Sequence, residues 1–208
     1  HVVLETTSHG LAQFRVAGCD FDIAVVTNVT HEHLDYHKSY EAYLQTKGKL
    51  FQYLHETPTK SFFPERLAVL NKDDRSFGYL HEITKSNQVY YSLKSKTDIY
   101  AEDILNQPDG IQFSAVGDRF SVKVHSHIPG EFNISNILAA MGAAIFGLGI
   151  EPKIAAEGIE NMKSVPGRME QIKMGQPFQA IVDFAHTPNA LRSEEHTSEL
   201  PSRQSISY

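Results

Sequence analysis

Residues 23–54 read IAVVTNVTHEHLDYHKSYEAYLQTKGKLFQYL, and this stretch decides the fold. Ile23 to Val26 is an apolar run ended by Thr27-Asn28, which predicts a short buried strand. A polar, histidine-rich loop follows from Val29 to Lys38. Ser39 can cap a helix from Tyr40 to about Leu54. Tyr40, Tyr43, Leu44, Leu50, Phe51 and Leu54 recur at three- and four-residue spacing, the apolar stripe of an amphipathic helix. Strand, loop and helix in that order form the repeating unit of an α/β fold.

Working outward, Val2–Glu5 and Leu67–Leu70 read as further strands, and Asn71 can cap a helix over Asp73–Thr84. From Gln88 to Val124 the period changes to two. Val89-Tyr90-Tyr91, Ile99-Tyr100, Ile111-Gln112-Phe113 and Phe120 to Val124 are strand-like, with turn pairs at Asp109-Gly110 and Gly117-Asp118. Helices are expected over Asn133–Gly147 and Pro152–Met162, and a late strand over Gln179–Asp183. The fold class is therefore α/β: a mostly parallel sheet flanked by helices, with an antiparallel β insert.

Two features of the opening stretch carry chemistry. Lys47 falls in the middle of the apolar stripe, whereas Lys49 lies off it. Its stem can cover the core while its ammonium snorkels to water. Alternatively, the amine is held where its charge needs a partner. Desolvation favours the neutral amine, which can react with carbon dioxide, and the resulting carbamate binds Mg²⁺ through oxygen. The second feature is the run from His31 to His37, with three histidines and two carboxylates in seven residues. It is either a solvated polar loop or a metal cluster. A zinc hydrolase of the metallo-β-lactamase type would read His-x-His-x-Asp-His, and here Tyr36 interrupts that spacing.

Composition bounds the rest. The chain has 208 residues, 25 acids and 19 bases, for a formal net charge of −6, with 41% apolar and 21% charged residues. That is an ordinary globular balance, and mild acidity speaks against nucleic acid as a partner. The longest apolar run, Ile137 to Leu148, is broken by glycines and is too short for a membrane span. The single cysteine, Cys19, excludes an intrachain disulfide framework and suits a reducing compartment. The ends read as artificial. His1 opens inside a strand-like run, and Arg192 to Leu200 looks like an in-frame translation of a sequencing-library adaptor. Residues 1–191 are therefore expected to form one domain fragment, and 192–208 a non-native, disordered tail.

Several segments, taken in order, resemble the Mur ligases. They begin with Glu5-Thr6-Thr7-Ser8-His9-Gly10-Leu11, followed by Gln13 and Arg15, and continue with Thr27 to His37. Glu41-Ala42-Tyr43 then leads to Lys47 at that family's carbamylated-lysine position. Gly130-x-x-Asn133-x-x-Asn136, Val165 to Glu170 and Val182 to Pro188 complete the order. The type that extends UDP-N-acetylmuramoyl-L-alanyl-D-glutamate is the most similar. Departures are mild: Thr6-Thr7 stand for Val-Ser, Glu32 for Asp, Phe184 for Tyr and Asn189 for Asp.

The resemblance implies the central, P-loop-type ATP-binding domain of an ATP-dependent carboxylate–amine ligase of peptidoglycan precursor synthesis. It implies ATP, two Mg²⁺ ions and a carbamylated Lys47, with UDP-muramoyl-dipeptide and an amino acid as substrates, and a cytoplasmic monomer. Residue by residue, it makes Glu5, His33 and Lys47 metal-side groups, with His33 and Lys47 catalytic. Thr7, Gln13 and Arg15 fall on the UDP-muramoyl-dipeptide side. Asn133, Asn136, Arg168, Asp183 and His186 fall on the ATP side. The family's Gly-x-x-Gly-Lys-Ser/Thr loop does not occur in the chain; Gly48-Lys49 is followed by Leu50. The expectation is thus a fragment lacking the opening strand and phosphate loop, inactive by itself. Alternatives within the superfamily are folylpolyglutamate- and cyanophycin-synthetase-like ligases.

Overall fold

The computed structural model describes residues 1–30, 34–58, 60–61, 65–107, 110–168, 170–172, 174–178 and 180–184. Its central feature is a six-stranded sheet. In chain order its strands are β1 (Ile23–Val25), β2 (Leu67–Asn71), β3 (Asn87–Ser92), β4 (Ile99–Gln107), β5 (Gly110–Gly117) and β6 (Phe120–Ser126). Spatial order follows chain order. β1 to β4 pair in parallel, with Ile23 opposite Leu67 and Val69 opposite Val89. β4, β5 and β6 form an antiparallel meander. The turn pair Gly117-Asp118 sits where expected, between β5 and β6; Asp109 lies outside the described residues.

Helices cover both faces. The short α1 (Ser8–Ala12) and α2 (Leu34–His37) precede α3 (Tyr40–Glu56); α4 (Phe77–Ile83) follows β2. After β6 come α5 (Glu131–Gly142), which continues as a π-helical turn over Ala143–Gly147, and α6 (Pro152–Asn161). β2 shows why two layers of helix are needed. All five of its residues are buried, and they alternate sides. Leu67 and Val69 face Ile134, Leu138 and Met141 of α5, with Ala156 of α6 in the same core. Ala68 and Leu70 face Tyr43, Leu44, Phe51 and Leu54 of α3 and Leu80 of α4. A strand buried on both faces is characteristic of parallel sheets. Each such Leu or Phe contributes about 1.5–3 kcal/mol of apolar burial.

The expected stripe on α3 is observed, and Ser39 caps it by accepting the Ala42 N–H at 3.1 Å. Other expectations need correction. Val2–Glu5 forms no strand: Val2 and Val3 are 90% and 99% exposed. Apolar residues alone make no strand without a ladder partner, and among the described residues β1 pairs only with β2. The helix after β2 starts at Phe77, not Asp73. Asn71 instead accepts the Asp73 N–H at 3.0 Å, an Asx-type turn that competes with helix initiation. The late strand expected over Gln179–Asp183 is β8 (Ala180–Val182), and its partner β7 (Glu170–Ile172) was not foreseen. Three residues, two of them polar, carry no readable period.

Candidate functional site

Among the segments that carry the singled-out residues, only the one from β1 to α3 leaves the C-terminal end of a parallel strand. This is where open α/β sheets gather ligands. Thr7 caps α1 by accepting the Gly10 N–H at 3.0 Å, which leaves its hydroxyl proton able to donate elsewhere. Gln13 closes α1 at its other end, and Arg15 follows on the exposed turn. Glu5 lies just before this cap, exposed and outside any helix or strand.

Helix α3 runs beside this segment. Lys47 is half-buried on the α3 face that carries Tyr43, Phe51 and Leu54. Its Nζ lies 3.4 Å from the Thr6 carbonyl oxygen and 5.8 Å from the centre of the Tyr43 ring. Its head therefore meets a protein carbonyl rather than simply snorkelling. The chain folds this way because Ser39 starts α3 in a register that puts position 47 on the buried stripe.

Ser8, not singled out from sequence, and His37, the last histidine of the candidate cluster, complete this corner. Ser8 and His37 are 1% and 8% exposed. The Nε2 of His37 lies 3.0 Å from the Ser8 hydroxyl, tying α1 to α2. His37 also packs edge-on against His9 and tilts against Tyr43, at ring separations of 5.6 and 5.3 Å. Both residues lie inside the quoted motifs, and the signal that could have found Ser8 was a buried polar pair rather than a spacing.

The nucleotide-side candidates divide into two places. Asn133 and Asn136 lie on the first two turns of α5, and Asn136 Nδ2 donates to Asn133 Oδ1 at 3.3 Å. Asn133 is not the cap, which is Gly130; its Nδ2 donates to the Pro129 carbonyl at 2.6 Å. Between them in sequence, Ser135 lies 3.5 Å from the side-chain amide of Asn71 at the end of β2. That amide also donates to the Thr27 carbonyl, at 2.7 Å. The start of α5 thus reaches the exit of β1. Arg168 and Asp183 instead flank the β7–β8 pair, and the Arg168 guanidinium sits 5.5 Å from the Phe184 ring centre. His33 and His186 lie outside the described residues, as do His31 and Glu32.

Burial dominates the electrostatics of this edge. Tyr91 of β3 donates from its hydroxyl to the Val26 carbonyl at 2.8 Å. Burial pushes this phenol well up, and hydrogen bonds with Ser135 and Asn71 partly oppose the shift. Burial also raises Tyr40, against the Arg75 guanidinium stacked 3.5 Å from its ring centre. As for a metal, the Glu5 carboxylate next to Thr6, whose carbonyl faces Lys47, presents oxygen donors. Such a set, with a carbamate oxygen on Lys47, suits Mg²⁺ rather than a soft metal.

The half-buried lysine and the flanking polar segments are carried by an α/β domain with a mostly parallel sheet. The model of the Mur ligase middle domain matches residues 1–144, so the chain belongs to that family. This selects the ligase reading of the histidine-rich loop over the zinc hydrolase. Among curated relatives, the UDP-N-acetylmuramoyl-L-alanyl-D-glutamate–2,6-diaminopimelate ligase of Bacillus licheniformis is 40% identical over 200 residues, covering 94% of this chain and 39% of that protein. The ligase of the same name from Geobacillus thermodenitrificans is 40% identical over 195 residues, covering 92% and 39%. A solved structure of a ligase of this name superposes with a TM-score of 0.76 at 34% identity, over 93% of this chain and 39% of that one. MurF from Acinetobacter baumannii shares the fold, with a TM-score of 0.75 at 20% identity, over 86% and 37%. The chain therefore spans 39% of the length of these two curated relatives. No helix among the described residues is long and apolar enough to cross a membrane.

Proposed function

We propose that residues 1–191 are the middle domain of an ATP-dependent ligase. It joins an amino acid, 2,6-diaminopimelate by similarity, to the D-glutamyl γ-carboxylate of UDP-N-acetylmuramoyl-L-alanyl-D-glutamate. The observation that carries this reading is Lys47: a lysine on an apolar stripe, its amine 3.4 Å from the carbonyl between Glu5 and Thr7. A carboxylate oxygen is a poor leaving group, so ligation first makes an acyl phosphate, which the incoming amine attacks. Both reactants of the first step are anions, and charge neutralisation and alignment supply most of the acceleration.

Roles follow from position. Glu5, His33 and carbamylated Lys47 would hold two Mg²⁺ ions, whose chemistry is to neutralise phosphate and carboxylate charge. Thr7, Gln13 and Arg15, on one turn and its flank, orient the UDP-muramoyl-dipeptide; the Arg15 guanidinium suits a carboxylate or phosphate. Asn133 and Asn136 bind on the adenine side, and Arg168, Asp183 and His186 at the phosphates and ribose. The side chain of Ser8 fixes His37, which seats α2 against α1. The setting is cytoplasmic, where ATP and UDP-linked precursors are available, and the ligase acts as a monomer without nucleic acid or membrane.

The test is a chimera in which residues 1–184 replace the corresponding stretch of the Bacillus licheniformis ligase. It should join diaminopimelate to UDP-N-acetylmuramoyl-L-alanyl-D-glutamate with stoichiometric phosphate release, dependent on ATP and Mg²⁺. A folded chimera that ligates nothing refutes the proposal. The 208-residue chain alone should turn over no ATP.

A further inference from the structure

The proposed chemistry leaves one cluster of buried polar groups unused, where β1, β2, β3 and α5 meet. Asn71 ends β2 and is 8% exposed. Its Nδ2 donates to the Thr27 carbonyl at 2.7 Å and lies 3.5 Å from the Ser135 hydroxyl. Tyr91, fully buried on the neighbouring strand, donates to the Val26 carbonyl at 2.8 Å and lies 3.3 Å from that of Thr27. Asp74, just past the end of β2, accepts the Val29 N–H at 3.3 Å. Three successive parts of the segment leaving β1 are thus held by side chains from β2, β3 and the turn after β2. The β1 ladder ends at Val25–Val69, with one further bond from Val26 N to Val69 O, so beyond it the backbone needs partners of another kind. A core side chain of equal volume would fill the space but would orient nothing.

What these bonds connect gives them a role. The segment from Val26 to Val29 leads into the histidine-rich loop, which carries the metal-side candidate His33. Ser135 lies between Asn133 and Asn136 in the first turns of α5. We propose that Asn71 and Tyr91 are positioning residues that lock the exit of β1 to the start of α5, so that the metal-side loop and the nucleotide-side helix keep one spacing. This rests on the ligase reading above. A transfer between two anchored anions tolerates little drift, and a misplacement of about 1 Å costs on the order of a hundredfold in rate.

The experiment has two parts. In the first, hydrogen exchange is followed by mass spectrometry in the 208-residue chain and in its Tyr91→Phe and Asn71→Asp variants. Tyr91→Phe keeps the ring in place and removes only the hydroxyl; Asn71→Asp removes the donor to Thr27 and keeps the acceptor for Asp73. Exchange should rise together at residues 26–30 and 133–136 and stay unchanged in β5 and β6. A rise at only one of the two segments, a uniform rise, or no rise overturns the coupling. In the second part, the chimera described above carries the same substitutions. At temperatures where the variants are fully folded, kcat should fall about ten- to a hundredfold with KM for ATP changed less than about threefold. If kcat merely follows the folded fraction, the residues are structural and the proposal fails. An unsubstituted chimera without ligase activity would instead sink the ligase reading, and the exchange data would still decide whether the two segments are coupled.

Discussion

Replacing Asp22 by alanine should destabilise the chain more than replacing its partner Arg66 by methionine, although both remove the same ion pair. Arg66 precedes β2, and its side chain is 6% exposed, against 30% for Asp22. Its Nη1 donates to Asp22, its Nε to the Thr57 hydroxyl at 3.2 Å, and its Nη2 to the Pro58 carbonyl. The other Asp22 oxygen accepts from Lys60 Nζ at 2.9 Å. Asp22→Ala removes the carboxylate that the desolvated guanidinium faces. In a fully buried pair that costs about 3–5 kcal/mol, and screening at the exposed carboxylate reduces it to roughly 2–3. Arg66→Met keeps the buried stem, removes the charge and leaves Asp22 with Lys60. Thr57 still donates to the Leu54 carbonyl at 3.1 Å, and Pro58 is exposed enough to turn to water. Its expected cost is about 1 kcal/mol. Lys60→Met breaks a partly exposed pair and an exposed bond to the Asp20 carbonyl, and should cost less than about 1 kcal/mol. Urea unfolding of the chain and the three variants gives the order, read as midpoint shifts at constant slope. An Arg66→Met loss equal to or larger than that of Asp22→Ala would refute the claim that keeping a buried charge after removing Asp22, rather than losing the pair, sets the cost. The clamp lies at the start of β1 and β2, on the sheet edge opposite the candidate site.

Three further outcomes are expected. Lys47→Ala in the chimeric ligase should lower turnover at least about a hundredfold, with partial rescue by added short carboxylates; wild-type turnover would exclude the carbamate. Gly110→Ala should lower stability by at least about 2 kcal/mol in thermal unfolding, because Gly110 has φ +156° and a Cβ there would lie 2.0 Å from the Ser126 carbonyl oxygen. An unchanged midpoint would mean that the backbone at Ser126 yields freely. Burial makes the Tyr91 phenol hold its proton to higher pH in the folded chain than in the unfolded one, where the ordinary value is 10.0. The stability tied to that proton is therefore complete below about pH 10 and declines as pH rises beyond it. Tyr91→Phe should flatten this alkaline decline in urea midpoints, and an identical decline in the variant would assign it elsewhere.

Much of this fold was legible because local and long-range requirements agree. The run Ile23–Val26, the Ser39 cap and the stripe from Tyr40 to Leu54 each satisfy a local rule and also face the core the sheet needs. The turn pair at Gly117-Asp118 likewise marked the meander. The reading failed where a local pattern had no partner to realise it. Val2–Glu5 has the composition of a strand, but composition supplies no neighbouring ladder. Asn71 has the right type for a helix cap, yet its side chain is taken by Thr27 and Asp73, and the helix begins only at Phe77.

The candidate site follows the opposite logic, since its residues are the ones that break local rules. Lys47 is a charge on an apolar stripe, Ser8 and His37 are polar groups below 9% exposure, and Asn71 and Tyr91 bring hydrogen-bonding heads into a β-sheet core. Each violation is resolved by a partner far away in sequence: Lys47 by Thr6 across 41 residues, His37 by Ser8 across 29, Asn71 by Thr27 across 44, and Tyr91 by Val26 across 65. A window of ten or fifteen residues shows the violation and hides its resolution. That is why Lys47 could be seen as anomalous from sequence while its carbonyl partner could not. Buried polar groups cost free energy unless they are satisfied, so a sequence that keeps several of them along one strand-end edge is maintaining that edge for something other than packing. Two of the pairs hold the exit of β1, and two hold the start of α1 against α2 and α3, so the buried polar groups serve the two segments that carry the candidate residues.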